Sequence, residues 1–399
     1  MSRDVDNFIN QLEQYSRTLP RLNGAADQRR LSLNDFIASV RPWVDGATAV
    51  QRSYHMSCWQ ARKLIQLLGF AIGSVEHHFQ QQNHAPGIGL SHLPTAEDLL
   101  VGLAESARHP PRDSTYTAYL WNDSIPPLTY TGDEQEIFFI RAVQKVNRLH
   151  SDSCSLLRLL CAGQLSLMST DAIDCIYQAA ENTQAVHDLY VSFLAKRHNG
   201  QRNMEPDFFT KRHRTFKPPY PIKGKIWGGA NAGNVCSQIQ LDYLIGTAPS
   251  NHARFVESRF RYMTHEDQIA LMSDMQLPSV AVLLLQELKL SSTELESCDI
   301  NDLTLLLKHQ DVVMLRVCKA YSGLIDAEAR MAAIHWTLIR NYVLKLDAEM
   351  SEDDKAHMAL RPDTTVNGHP IEATKVLMGI RRKHLEKLRT AVRLMYPGE

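Results

Sequence analysis

DAEARMAAIHWTLIRNYVLKL, residues 326–346, is the stretch on which the reading of this 399-residue chain turns. At helical spacing Met331, Ala332, Leu338, Ile339 and Tyr342 lie three, four or seven residues from His335, so the histidine sits mid-stripe on an apolar face. An imidazole buried there costs free energy unless it hydrogen-bonds, titrates down or ligates a metal. A satisfied core histidine explains the placement. So does a metal or haem ligand, because the faces of a porphyrin suit an apolar surround. No second ligand stands at helical spacing: Glu328 and Asn341 are the nearest polar side chains, and neither HExxH nor a di-iron Glu-x-x-His signature occurs. His77 and His78 are adjacent and point in different directions on a helix, and His265-Glu266-Asp267 reads as a helix start capped by Thr264. If His335 binds metal, a cofactor needing one or two protein ligands fits, and haem is one.

Outward from that helix, a period near 3.6 dominates. Residues 58–79 place Ala61, Ile65, Leu68, Ile72 and Val75 on one face, with Gly69 and Gly73 marking close approach by another helix or by a flat ligand. Further helices are predicted at 96–107, from 133 past 150, and at 154–165, 171–196, 235–245, 255–262, 265–272, 279–290, 303–325, 326–346 and 371–395. The run YTAYLW at 116–121 is the most strand-like. The fold class that follows is mainly α: a smaller, mostly helical N-terminal domain over 1–125 and a large helical domain over 126–399.

Composition excludes several classes. With 44% hydrophobic and 22% charged residues the chain is not disordered, and Lys plus Arg at 43 against 44 acidic residues gives no general steering toward nucleic acid or anionic membrane. The seven cysteines are scattered without a CxxC pair, so neither a disulfide framework nor a cysteine metal site is indicated. The start lacks an apolar signal core, and no run approaches the roughly 20 apolar residues that span a bilayer. A soluble cytoplasmic protein is the expectation. GxSxG, GxGxxG and the P-loop pattern are all absent.

A second clue is WGGANAGN, residues 227–234, where Gly228, Gly229 and Gly233 let backbone come close to a ligand or simply open a helix. Upstream, Arg212, His213, Arg214, Lys223 and Lys225 form a cationic segment suited to a carboxylate or a haem propionate.

These blocks in their order resemble the indoleamine 2,3-dioxygenase superfamily of haem proteins, and in particular its bacterial branch containing the tryptophan-rearranging enzyme of pyrrolnitrin biosynthesis. The likeness rests on Trp121 followed by LTY at 128–130 and the acidic helix start Asp133-Glu134. It rests also on Pro206 with Phe208 and Phe209, on GGANAGNVCSQIQLDYLIG at 228–246, on HARFVESRFRYM at 252–263, and on HWTLIRNY at 335–342. GFAIGS at 69–74 is similar to the N-terminal domain of that branch.

The resemblance implies a haem b cofactor with His335 as proximal iron ligand, and Gly228 and Gly233 at its edge. It implies a substrate pocket of Phe208, Phe209, Gly229, Ala230 and Asn231, a carboxylate clamp at His213 or Arg214, and distal catalytic positions at Ser151 and His150. The family's glycine- and threonine-rich lid corresponds to 361–370, where Thr364, Thr365 and Gly368 keep its character and Thr365 would touch the cofactor; His369 is a further candidate. The implied function is haem-dependent oxygenation of tryptophan or a related indole or amino acid with O2, in specialised metabolism. Dioxygenation, monooxygenation and rearrangement all remain open, as do a separate electron donor and a homo-oligomer. Hydroxylation or N-oxygenation of another amino acid, or haem binding without catalysis, are the alternatives. A metal-free helical interaction protein is the blander one.

Overall fold

A computed structural model describes residues 2–197, 199–231, 235–248, 252–344, 379, 381 and 383–396. Among these the chain is mainly helical, and a two-stranded hairpin is the only sheet. The N-terminal layer comprises α1 (Ser2–Ser16), α2 (Leu19–Asp27), α3 (Leu33–Ser53), α4 (Cys58–Gln81), α5 (Ile88–Ser91) and α6 (Ala96–Ala107). Helix α4 is its axis. Ser57 and Gln60 form a reciprocal capping box at its start, and every residue from 64 to 80 is buried because α1, α3 and α6 pack around it. The same core is closed by Leu128, Tyr130, Phe216, Tyr220 and Ile222 from beyond residue 125. The close approach at Gly69 and Gly73 comes from neither a helix nor a ligand. A Cβ on Gly69 would lie 2.8 Å from Cβ of Asp113, and one on Gly73 would lie 3.2 Å from the Tyr130 hydroxyl.

The strand expected at 116–121 is instead a buried π-helical turn, Tyr116–Leu120, closed by the Trp121 N–H donating to the Tyr116 carbonyl at 2.7 Å. Ser114 and Thr117 supply the local partners: the Ser114 N–H donates to Thr117 Oγ1 at 2.8 Å and the Tyr116 N–H to Ser114 Oγ at 3.1 Å. A buried strand with no neighbouring strand would have left those backbone groups unpaired. Polar caps therefore outweigh the β propensity of the aromatics.

The larger part contains α7 (Glu134–Cys161), α8 (Thr170–Leu194), a helical turn α9 (Pro206–Phe208), the hairpin of β1 (Tyr220–Ile222) and β2 (Lys225–Trp227), and α10 (Cys236–Ile245). It continues through α11 (His252–Phe260), α12 (His265–Asp274), α13 (Val280–Glu287), α14 (Ser292–Ser297), α15 (Ile300–Lys308), α16 (Val312–Ile339) and α17 (Glu386–Met395). Two expected breaks are absent. Helix α7 runs through 150–155 because Ser153 and Ser155 return their hydroxyls to the carbonyls of Leu149 and Ser151, at 3.0 and 2.9 Å, instead of capping a new helix. Helix α16 runs through 325–326 because Asp326 pairs with Arg389 and Arg393 of α17. Its true start is capped by Asp311, which accepts the Met314 N–H at 2.8 Å. Of the helix expected over 371–395, residues 371–378 lie outside the described residues.

Helix α8 packs most extensively on α16 and α7, and α7 also on α10, so three long helices share one interior face. The hairpin is tied across by Arg112, fully buried over the Tyr220 ring, whose Nη1 donates to the carbonyls of Pro218 and Trp227 at 3.0 and 2.9 Å. No described helix is long and apolar enough to cross a membrane. The contact at Gly69 generates a test. Gly69→Ala should cost about 1–3 kcal/mol by overpacking against the Asp113 backbone. Urea unfolding reads this directly, and an unchanged midpoint would show that this loop yields freely.

Candidate cofactor and substrate site

The face shared by α7, α8 and α16 carries two imidazoles. His150 of α7 is fully buried, and among the described residues neither ring nitrogen has a hydrogen-bond partner. Burial, with Arg381 and His335 nearby, pushes its pKa down to about 3 against the opposing pull of Asp242. His335 of α16 is half-buried and stacks on Tyr190 of α8, ring centroids 5.2 Å apart at 26°. Burial and Arg381 lower its pKa to about 4. Apolar walls come from Val146, Val186 and Met331, with Leu149, Leu189 and Tyr190 packed against them. Ser151, beside His150, is half-buried.

A haem iron takes a neutral imidazole in an apolar surround, and at neutral pH both rings are neutral. The residues therefore fit such a group. The fit rests on the two unsatisfied nitrogens of His150, each a cost of about 1–3 kcal/mol unless something enters to meet it.

Three charged residues complete this face. Arg381 donates to both carboxylate oxygens of Asp242 (α10), at 2.9 and 2.5 Å, in a buried bidentate pair. Glu328 stands two helical turns before His335 and is fully buried, with Thr183 as a nearby polar side chain among the described residues. Burial raises its pKa to about 7; Asp242 adds to the rise, and Arg381 and Thr183 offset it only in part. Glu328 was visible in sequence as the nearest polar neighbour of His335. Tyr190, Asp242 and Arg381 were not, because nothing in their spacing connects them to that helix.

The predicted substrate residues gather next to this face. Phe208 is buried in one apolar cluster with Tyr342, and Phe139, Phe209 and Leu338 pack against it. Tyr342 is anchored by its hydroxyl donating to the Met204 carbonyl at 2.6 Å, and the Thr210 hydroxyl donates to the Tyr342 carbonyl. His213 lies 4.9 Å from Phe139 and 5.9 Å from Phe209 between ring centroids. Sequence reasoning overlooked what holds it. Buried Lys217 donates to His213 Nε2 at 2.5 Å and to the Tyr119 hydroxyl, and Glu136 Oε1 sits 3.6 Å from His213 Nδ1. Burial pushes His213 down to about 4 and Lys217 to about 7, with Lys217 adding to the first and Glu136 opposing both. Glu136 keeps its charge at about 2 because His213, Lys217 and the Tyr130 N–H outweigh burial. Arg214 is buried, its guanidinium 5.9 Å from the Phe209 ring centroid.

The glycine loop closes the same region. Gly229 has no room for a side chain: a Cβ there would sit 2.5 Å from the Lys217 carbonyl. Ala230 is buried with Ala118, Tyr119, Ile140 and Val143, while the Asn231 N–H donates to Thr115 Oγ1 at 3.2 Å. Gly228 donates its N–H toward the Tyr262 hydroxyl at 3.4 Å. Gly233, Thr365 and the rest of 361–370, including His369, lie outside the described residues.

A separate polar cluster contradicts the reading of His77 and His78 as diverging. Asp27, His77 and His78 bring one ligand atom each within 4.8 Å of one another and could hold a metal ion. Adjacent helical residues are about 100° apart, but α4 is buried all round, and Asp27 enters at the end of α2 between the two rings.

Residues 56–334 match the model of a protein family described as Monodechloroaminopyrrolnitrin synthase PrnB. The match takes in α4, α7, α8, His150, residues 208–214 and the glycine loop, and stops one residue short of His335. No curated protein matches the chain.

Glu328 makes the electrostatics testable. Its folded pKa of about 7 exceeds the usual carboxyl value, so its stabilising protonated form is lost as pH rises from about 4.5 through 7. Glu328→Gln should remove that loss, making the variant about 1–3 kcal/mol more stable than the parent at pH 8 and similar to it near pH 4. Superimposable stability–pH profiles would contradict the assignment.

Proposed function

The chain belongs to the monodechloroaminopyrrolnitrin synthase PrnB family, and from that membership and the unsatisfied imidazole between α7 and α16 we propose a haem-dependent oxygenase. Its substrates would be O2 and tryptophan or a related indole or amino acid. The family is named for a synthase, and membership places the chain in that enzymatic lineage. The observation that carries the haem reading is His150: a buried ring with two idle nitrogens beside a second neutral imidazole.

His335 would hold the iron, and a haem bound there would supply the redox centre for O2 chemistry. Tyr190 fixes the plane of the His335 ring by stacking. His150 can hold one proton on either nitrogen and donate or accept it without first breaking a bond to the protein. Ser151 adds a hydroxyl beside it. Phe208, Phe209, Phe139 and Tyr342 offer an aromatic wall for an indole and exclude water. Arg214 lies at the edge of that wall, where its guanidinium can pair with a substrate carboxylate. Lys217, poised near neutrality, can store a proton at Nζ and exchange it with His213 Nε2 or the Tyr119 hydroxyl. Gly229, pressed against the Lys217 carbonyl, and Ala230, packed on Tyr119, seat the loop beside these groups.

Haem titration of the purified chain should give a Soret band at one equivalent, and His335→Ala should abolish it. Under air with an electron donor, tryptophan or a related indole should then yield an oxygenated or rearranged product by mass spectrometry. Turnover of other amino acids only would move the reading to hydroxylation or N-oxygenation, and no haem uptake at all would overturn it. Arg214→Ala should raise KM for a carboxylate substrate at least tenfold, about 1.4 kcal/mol. Haem content and KM for the decarboxylated analogue should hold; an equal rise for that analogue would remove the role.

A further inference from the structure

His77 and His78 are each oriented from the side facing away from Asp27. His77 Nδ1 lies 2.9 Å from the Thr215 carbonyl, an acceptor only, so this nitrogen carries the ring hydrogen. His78 Nε2 lies 3.0 Å from Asn23 Oδ1. That amide cannot be turned round, because its nitrogen donates to the Tyr130 carbonyl at 2.9 Å and to Ser74 Oγ at 3.0 Å. The Ser74 hydroxyl itself donates to the Phe70 carbonyl at 2.9 Å. His78 Nε2 therefore carries the hydrogen of the second ring.

In neutral rings the remaining nitrogens, His77 Nε2 and His78 Nδ1, bear lone pairs. Both point to one oxygen: each lies 3.5 Å from Asp27 Oδ1, longer than an ordinary N–H···O bond. Three lone pairs thus converge on one small region. Asp27 is also the last residue of α2, where the helix dipole disfavours a carboxylate; burial disfavours it too, and its pKa is nonetheless lowered, first by hydrogen bonding and charge from His77, then by His78 and Arg212.

We propose that Asp27, His77 and His78 bind one divalent transition-metal cation of the zinc class through two imidazole nitrogens and a carboxylate oxygen, leaving a coordination position open. Ligand atoms bonded at about 2.0–2.1 Å around a tetrahedral ion lie roughly 3.3 Å apart, close to the two nitrogen–oxygen spacings of 3.5 Å, with all three atoms within 4.8 Å of one another. A carbonyl or amide on the far nitrogen is the support that metal-bound histidines ordinarily have. The rings are held besides by stacking: His77 on Phe216 at 3.8 Å and His78 edge-on to Phe36 at 4.8 Å between centroids. Both rings are buried while Asp27 is 34% exposed, so the ion enters, and its free position opens, on the Asp27 side. The bound ion would join the end of α2 to α4 and, through Thr215, to the segment carrying His213 and Lys217. This site owes nothing to the haem reading.

The test uses the full-length, haem-free chain, stripped with a chelator. Zinc calorimetry should show one tight site, and cobalt(II) should give the visible bands of a low-coordinate nitrogen–oxygen site. The thermal midpoint should rise with either metal. Asp27→Asn, at a half-open position, should weaken zinc binding at least tenfold with an unchanged apo circular dichroism spectrum. His335→Ala should bind as the parent does. Retention of the full cobalt spectrum by Asp27→Asn would overturn the proposal. So would nitrogen NMR showing a His77 imidazolium at pH 7 that zinc does not displace, since a proton would then occupy the place given to the metal.

Discussion

A buried polar group must find a partner, and on the face between α7, α8 and α16 the described residues leave both nitrogens of His150 without one. The bidentate pair of Arg381 with Asp242 is satisfied, but its positive end disfavours protonation of both His150 and His335, while burial keeps Glu328 largely uncharged below neutrality. Packing alone does not explain such a set, since apolar residues of similar volume would fill the space at less cost. A bound group that brought its own polar atoms would meet the His150 nitrogens.

The two cores are coupled through the segment from 206 to 231. Phe208 packs with Tyr342 at the end of α16, Phe216 and Tyr220 belong to the N-terminal core, and Lys217 between them binds His213 and Tyr119. Gly229 passes against the Lys217 carbonyl too closely for any other residue. Phe208 and Phe209, the Lys217–His213 pair and the Thr215 carbonyl that His77 contacts thus share one stretch of backbone.

Much of this was legible in the sequence. Helix α4 begins at the predicted residue, α6 has the predicted bounds, and Thr264 caps α12 by accepting the Asp267 N–H at 3.2 Å. Periodicity and capping are local, and local signals can be read from one chain. The strand at 116–121 and the breaks after 150 and 325 failed because side-chain hydrogen bonds, from Ser114, Ser153 and Asp326, override what propensity and punctuation suggest. His335 and Phe208 could be picked out by pattern and resemblance. Lys217 carried no signal that set it apart, and Arg381, Asp242 and Tyr190 meet only through tertiary packing. Asp27 reaches His77 and His78 from fifty residues away, which no spacing rule within a helix reveals.

The central claim is that the α16 imidazole, and not that of α7, is the one offered to iron. Haem-loaded His335→Gly and His150→Gly, each with and without added imidazole, test it most directly by visible and resonance Raman spectra. The account predicts that His335→Gly loses the parent spectrum and regains it with imidazole, while His150→Gly keeps it throughout. The reverse pattern, or an unchanged spectrum in both, would contradict it.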